Sequence, residues 1–275
     1  MPPGEHIREA DMDLGLQGKV IVVSAASQGL GQAIAEELAQ EGANLAICAR
    51  REGPLEEARA KMAAHGVDVL AVSTDMTKAE DIENFVAKTM EHFGRIDVLI
   101  NNAGDMEFGH SIESADQVWE ETFDINLRSV IRMCRLVVPI MREQGGGVII
   151  NNATVGGHSP IAGAIDYNAA KAAVLNMTKT MAIEHAQDNI RVNAFNTALI
   201  RTPLWDKVAE RNLVGVFGDS VDEVFQNLSS QYLLMPRMGR PDEVSGIVAL
   251  MASDRASFTT GACWNIDGGF TRFMV

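Results

Sequence analysis

Apolar residues along the chain gather into short, continuous, β-branched runs, separated by longer stretches with helical spacing. The first run covers 19–24, a glycine-bearing loop follows, and a helical pattern over 32–40 is closed by Gly42. The same alternation then predicts a strand at 44–49, a helix at 55–65 and a strand at 67–73. Thr77 and Glu80 read as a capping box for a helix running to His92, and a strand follows at 96–101. Ser114 and Gln117 open a long helix to about Arg142, followed by a strand at 147–152, a helix at 166–187 and a strand at 190–195. A helix starting at Pro241 and a last short strand at 262–266 complete the series. Runs that are apolar throughout mark strands covered on both faces. Alternating with helices, they predict an α/β fold: one Rossmann-like, doubly wound parallel sheet of about seven strands, with helices on both faces.

Two stretches break the rhythm. Residues 1–17 are polar and aperiodic and are expected to form a flexible N-terminal arm, leaving 18–275 as a single domain. Residues 199–238 carry no strand signal but many large apolar side chains, among them Trp205, Val208, Phe217, Phe225 and Leu228. A long insertion after a strand C-terminus stands where ligands bind in such sheets, so it is expected to be a helical substrate lid. A helical hairpin packed on the body would show the same composition.

Composition narrows the partners. The 275 residues are 47% hydrophobic and 22% charged, with a net charge of −14, which disfavours nucleic acid and anionic membranes. No run of about 18 apolar residues suggests a membrane span, and the first residues lack the basic and apolar segments of a signal peptide. Cys48, Cys134 and Cys263 are far apart and odd in number, pointing to no metal site or disulfide framework and to a reducing, cytoplasmic location.

The chemistry starts with Tyr167 and Lys171. At i and i+4 on one helix face, the lysine ammonium can sit beside the phenol and lower a pKa that is ordinarily near ~10, giving a usable general acid/base. Alone, that spacing is a weak signal. A second element is the first strand-to-helix turn, Ser24-Ala-Ala-Ser-Gln-Gly-Leu-Gly31, whose glycines let backbone amides approach a pyrophosphate at a helix N-terminus.

From about Leu16 to Gly269 the chain resembles the short-chain dehydrogenase/reductase family. The family's cofactor loop matches Ser24 to Gly31, its Asn-Asn-Ala-Gly motif matches Asn101 to Gly104, and its helical asparagine matches Asn126. Thr154 matches the active-site hydroxyl, Tyr167 and Lys171 the Tyr-x-x-x-Lys pair, and Arg191 to Asn193 and Asp267 to Gly269 fit as well. The resemblance implies a CH–OH oxidoreductase using NADP(H) or NAD(H), with Asn126, Thr154, Tyr167 and Lys171 as catalytic residues. It places the cofactor on Ser24, Ser27, Gln28, Gly29, Leu30, Gly31, Asn102, Ala103, Gly104, Tyr167, Lys171, Ile200 and Thr202. It further implies that Lys171 depresses the tyrosine pKa, that Asn126 anchors a proton-relaying water, and that the long helices 116–142 and 166–187, with the C-terminal strand, form a homotetramer.

Three positions depart from the family pattern. Ala25 replaces a glycine, tolerable only where φ stays negative, and is expected to weaken cofactor binding without abolishing it. Thr154 replaces serine and narrows the pocket with a methyl group. Thr197-Ala198 replaces Pro-Gly, which puts the path into the lid, and so Ile200 and Thr202, in question.

At the end of the second strand Ala49 stands where a carboxylate would select NAD, and Arg50 and Arg51 follow with guanidinium groups suited to a 2′-phosphate. NADP(H) is therefore favoured and NAD(H) is the alternative. Asp75, with Met76, is expected to border the adenine unless the carboxylate merely caps a turn. Met106, Phe108, Val155, His158, Ile161, Leu199, Trp205 and Phe217 are expected to line the substrate side with Thr154 and Tyr167. His158 is the one polar contact among these and reads equally as structural. The composition predicts an apolar ketone or its secondary alcohol. A 3-oxoacyl thioester reductase, using Arg201, Lys207 and Arg211 as a basic rim, is the alternative, and a cofactor-binding regulatory protein without strong catalysis is a third reading.

Overall fold

The computed structural model describes residues 13–272. Among them, seven strands form one parallel sheet in the order β3-β2-β1-β4-β5-β6-β7. The strands are β1 Val20–Val23, β2 Asn44–Ala49, β3 Val69–Ser73, β4 Val98–Asn101, β5 Gly147–Thr154, β6 Ile190–Thr197 and β7 Cys263–Ile266. The helices of the body are α1 Gly29–Gln40, α2 Glu52–Ala63, α3 Ala79–Phe93, α4 Asp116–Phe123, α5 Ser129–Gln144 and α6 Ile165–Glu184. The lid region adds α7 Pro203–Val208 and α8 Val221–Tyr232, and α9 Pro241–Ala252 returns to the body.

The central strands are buried on both faces because their residues are almost all apolar: all of Val20–Val23 and of Val98–Asn101, where Asn101 is the one polar position, are buried. Helices cover two separate cores, one per face. Ile34, Leu38, Leu55, Val244 and Val248 close one, and Ile82, Phe85, Met133, Val137 and Val174 the other. Fully burying a side chain such as Phe85 contributes roughly 1.5–3 kcal/mol. The strand order reverses between β1 and β4, and the crevice at their carboxyl ends is where such sheets bind ligands. β5 and β6 stay in register over their full length, so Thr154 ends opposite Thr197 at that same edge.

Several local expectations need correction. The capping box at Thr77 does not form, and Ser114 does not cap the helix it was expected to open. Thr77 donates its hydroxyl to Asp75 Oδ1 at 2.8 Å, and α3 starts from Lys78 without a side-chain cap. The Ser114 hydroxyl accepts from the Ser111 amide at 3.0 Å, and α4 starts from Ala115. The long helix expected to Arg142 is divided by a π turn at Asp124–Arg128. There Asn126 Nδ2 donates to the Thr122 carbonyl at 3.0 Å, competing with the backbone ladder one turn back. The helix expected to reach 187 ends at Glu184. Residues 1–12 of the expected arm lie outside the described residues, but Leu16 is buried in the core and its carbonyl accepts from the Lys19 amide.

Candidate active site

One cavity of about 590 Å³ opens at the carboxyl ends of β1, β2, β4 and β5, under α7. Its cofactor end is held by backbone geometry. The Ser24 hydroxyl, buried at the end of β1, accepts from the Asn102 and Ala103 amides at 2.9 and 3.0 Å. Asn102 Nδ2 donates to the Ser24 and Ala25 carbonyls at 3.1 and 3.3 Å. The Asn-Asn-Ala-Gly segment after β4 therefore braces the loop after β1. A Cβ on Gly31 would stand 2.3 Å from both the Ala25 carbonyl oxygen and Asn102 Nδ2, so only glycine fits there. Gly29 and Gly31 lie in the first turn of α1, whose N-cap Gln28 contributes no side-chain cap, leaving N–H groups for an anion. This cradle fits a dinucleotide pyrophosphate.

Ala25 does not avoid the left-handed region. Its φ is 55°, so alanine adopts the glycine-like conformation and carries strain of roughly 1–2 kcal/mol. The condition set on it above is not met, and the loop keeps its course nonetheless.

Ser27, Gln28, Gly29, Leu30, Gly31, Arg50, Arg51, Met76, Asn102, Ala103, Gly104, Ile200 and Thr202 all line the cavity, as do Tyr167, Lys171, Met106 and Trp205. Buried Ala49 lies at the end of β2, followed by exposed Arg50 and Arg51, with Arg51 donating to Gln28 Oε1 at 3.0 Å. Asp75 is outside the lining. Its carboxylate accepts from the Thr77 amide and hydroxyl at 3.0 and 2.8 Å. Partial burial opposes its charge, but those bonds and the nearby Arg50 and Lys78 prevail and hold the carboxyl below its ordinary range. It is a turn cap.

The departure at Thr197-Ala198 leaves the path into the lid intact. Thr197 and Ala198 line the cavity, and Ile200 and Gly239 bridge through Arg201 N to Gly239 O at 2.9 Å and Gly239 N to Leu199 O at 2.8 Å. Thr202 then caps α7, accepting from the Trp205 amide at 3.4 Å.

At the other end, Tyr167 and Lys171 project from the first two turns of α6 into the cavity. Thr154, at the end of β5, donates to the Thr197 carbonyl at 3.2 Å, and its hydroxyl is near enough to the Tyr167 phenol to favour the charged form. Lys171 Nζ donates to the Asn152 carbonyl at 2.8 Å and lies 5.8 Å from the centroid of the Tyr167 ring. Burial pushes the phenol up to about 12, an effect that Asp105 adds to and the Thr154 hydroxyl opposes. Burial also draws Lys171 down to about 8. The expectation that Lys171 depresses the tyrosine pKa is thus corrected: burial dominates, the ammonium is not among the influences on the phenol, and the phenol holds its proton at neutral pH.

Asn126 is fully buried, behind the lining. Its Nδ2 donates to the Asp105 carbonyl at 2.8 Å and its Oδ1 accepts from the Asp105 amide at 3.3 Å. A Cβ on Gly104 would meet Asn126 Oδ1 at 2.9 Å and Lys171 Nζ at 3.3 Å, so glycine lets these two side chains approach.

Val155 and Leu199 are buried beside the cavity without lining it, and His158 turns to β7, its Nε2 3.4 Å from Asn265 Oδ1. Sequence reasoning missed Asn152, whose carbonyl holds Lys171 and whose Nδ2 donates to Asn102 Oδ1 at 2.9 Å. Two asparagines ending an otherwise apolar strand were the available signal. Of the basic rim expected at Arg201, Lys207 and Arg211, the last two line the cavity and Arg201 does not; with Asp105, Glu107 and Asn212, the last of which sequence reasoning missed, they form a polar mouth. Arg211 reaches Glu107 at 3.7 Å across that mouth.

The family model described as Enoyl-(Acyl carrier protein) reductase matches residues 24–271. Dehydrogenase/reductase SDR family member 4 of Oryctolagus cuniculus is 35% identical over 260 residues, spanning 92% of this chain and 94% of that protein. The L-sorbose reductase of Gluconobacter frateurii, solved with NADPH and L-sorbose, superposes with a TM-score of 0.91 at 35% identity, covering 96% of this chain and 100% of that one. An actinorhodin polyketide ketoreductase variant solved with NADPH gives 0.88 at 31% identity, covering 93% and 98%. The loop after β1, the braced Asn-Asn-Ala-Gly segment and the Tyr167–Lys171 pair all lie within the matched span, and the chain belongs to the short-chain dehydrogenase/reductase family, as an oxidoreductase that uses a nicotinamide cofactor.

Proposed function

We propose that the protein reduces a ketone to its secondary alcohol with NADPH, and that the buried, protonated Tyr167 is the proton donor. One observation carries this reading: a neutral phenol, pushed up to about 12, shares a cavity with Lys171, Arg50 and Arg51. An acid that keeps its proton at pH 7 suits delivery to a developing alkoxide. When bound, the reduced nicotinamide supplies the hydride at its C4. Thr154 exchanges the Thr197 carbonyl for the substrate oxygen and donates to it, while Tyr167 gives up its phenolic proton to the same oxygen. Lys171, fixed by the Asn152 carbonyl, holds the nicotinamide ribose and stabilises the tyrosinate that forms. Asn126 holds the Asp105 backbone, and so the loop above the reacting atoms, in place. These are positioning and electrostatic effects.

Arg50 and Arg51, with no acid at Ala49, support NADPH over NADH. Met106, Trp205 and Val208 support an apolar group beside the carbonyl. Lys207 and Arg211 at the mouth favour one second reading, a 3-oxoacyl thioester whose carrier brings phosphates. The L-sorbose complex of the Gluconobacter relative makes a ketose a necessary member of any substrate panel. A homotetramer is supported by the open groove between α5 and α6, lined by Ile131, Cys134, Val138, Met177 and Met181, and by the exposed Ile183. A cytoplasmic location is supported by three unpaired cysteines.

Titration with NADPH and NADH, followed by turnover on apolar ketones, a ketose and a 3-oxoacyl thioester, tests the reading. Tight NADPH binding with turnover on an apolar ketone is expected, and Tyr167→Phe is expected to lose about 10²–10⁴-fold in kcat with NADPH affinity unchanged. Comparable turnover in that variant would remove the role assigned to Tyr167.

A further inference from the structure

Asp166 precedes the proton donor in the first turn of α6 and is 1% exposed. A carboxylate this deeply buried needs partners. Thr122, on α4, donates its hydroxyl to Asp166 Oδ2 at 2.6 Å. His110 Nδ1 lies 2.7 Å from the same oxygen. Ala164 gives α6 no side-chain cap, so these two bonds tie the start of the helix to its surroundings.

Both partners lead back to the reacting groups. The Thr122 carbonyl accepts from Asn126 Nδ2 at 3.0 Å, and the same amide donates to the Asp105 carbonyl at 2.8 Å. The loop from Asp105 then runs to His110, where the Gly109 and His110 amides donate to the Gly163 carbonyl at 2.8 and 3.1 Å, just before α6. A closed circuit results: Tyr167, Asp166, Thr122, Asn126, Asp105, His110 and back to Asp166. It joins α4, the π turn, the loop over the cavity and the helix bearing the phenol. Burial opposes the charge on Asp166, but the bonds from Thr122 and His110 prevail and keep it ionised.

We propose that Asp166 is a positioning residue for proton transfer: through Thr122 and His110 it fixes Tyr167 relative to Asn126 and the Asp105 loop. This rests on the reading of Tyr167 as proton donor. None of the three residues touches the reacting atoms, so the circuit acts on geometry, and displacement of a reacting group by about 1 Å can cost about 10²-fold in rate. A clamp serving only fold stability would lower the melting temperature and leave kcat of the folded enzyme at wild type.

Thr122→Val removes the hydroxyl at constant shape and leaves the carbonyl that Asn126 uses. It is expected to lower kcat about tenfold or more with ketone KM and NADPH Kd near wild type, and to lower Tm because the buried carboxylate is left one bond short; Thr122→Ser is expected to restore Tm, and kcat to within about twofold. Asp166→Asn is expected to lose more than Thr122→Val, with NADPH Kd again unchanged. Should Asp166→Asn fail to fold, the threonine pair still decides. The proposal is overturned by wild-type kcat in Thr122→Val, by an equal loss in Thr122→Ser, or by a kcat loss matched by lost NADPH affinity. If Tyr167→Phe itself retains turnover, the proton-donor reading fails instead. If Tyr167→Phe is dead while Thr122→Val is unimpaired, only the positioning role fails.

Discussion

The cofactor cradle and the lid face each other across one cavity but are built differently. The cradle is backbone held by short polar side chains: the Ser24 hydroxyl receives two amides, the Asn102 side chain returns two bonds, and Gly31 leaves no room for a side chain. The lid is a small apolar cluster of its own, with Val208, Leu213, Phe225 and Leu228 packed on Met106 and Leu199. Its outer side exposes Val216 and Leu234, each at 71%. It is tied to the body at its ends, through the Ile200–Gly239 bridge and the Leu234 and Met235 amides on the Gly268 carbonyl. A cradle so braced would hold a dinucleotide in one place, whereas a lid held by its ends can admit different substrates. Chemistry and specificity are thereby divided between the two.

The sharpest way to break this contrast is Gly31→Ala. The new methyl would collide with the Ala25 carbonyl and the Asn102 amide group, neither of which can yield without unbracing β1 from β4. Fluorescence titration is expected to show NADPH affinity down at least about a hundredfold, and melting a loss of about 1–3 kcal/mol. Val216→Ala on the lid surface should move neither reading. Arg50→Ala comes next in size. Removing one charge-assisted bond to the 2′-phosphate, about 1.5–3 kcal/mol, should weaken NADPH roughly tenfold or more while NADH stays within about twofold. Equal losses for both cofactors would mean that Arg50 does not read the phosphate.

Beneath both regions Lys171 offers a measurement by pH. Burial lowers it from 10.5 to about 8, so between those values the unfolded chain binds a proton that the folded chain does not. Stability contributed by this residue therefore rises with pH from about 8 to about 10.5 and is absent below about 8. Melts of apoprotein and Lys171→Met should diverge over pH 8–10 in favour of wild type, by up to about 3 kcal/mol. Comparing against Lys171→Met cancels the opposite trend of Tyr167, whose raised value costs stability only above pH 10. A flat difference would mean the ammonium is better solvated than its burial implies.

The contrast also explains what could be read in advance. The cradle was legible because each of its residues answers a local demand: glycine at 31 for lack of space, asparagine at 102 for two carbonyls, apolar runs for strands buried on both faces. Local hydroxyls misled where a nearer partner competed, as Asp75 does for Thr77 and Ser111 for Ser114. The π turn depends on an asparagine side chain reaching a carbonyl one turn back, which spacing alone does not reveal. The tyrosine pKa was misjudged because i and i+4 place the ammonium near the phenol but say nothing about how dry both are. At the mouth of the cavity the basic residues were legible but their acidic counterpart was not: Arg211 meets Glu107 only once the segment after α7 folds over the loop beyond β4.

The smallest expected effect lies in the cradle, at Ala25. Its φ of 55° is one that glycine adopts freely and alanine only under strain, so Ala25→Gly releases about 1–2 kcal/mol in the folded state. The same change loosens the unfolded chain by about 0.4–1 kcal/mol, which offsets much of that release. The net expectation is a stability gain of between about 0 and about 1.6 kcal/mol. NADPH should bind at most about threefold tighter, because the loop already follows the path a glycine would take. Parallel melts and NADPH titrations of wild type and Ala25→Gly decide the point. A tightening beyond about tenfold, or ~1.4 kcal/mol, would mean that the Ala25 methyl stands in the cofactor's way. The departure from glycine would then be a device that weakens binding, and the cradle would be less finished than its hydrogen bonds suggest.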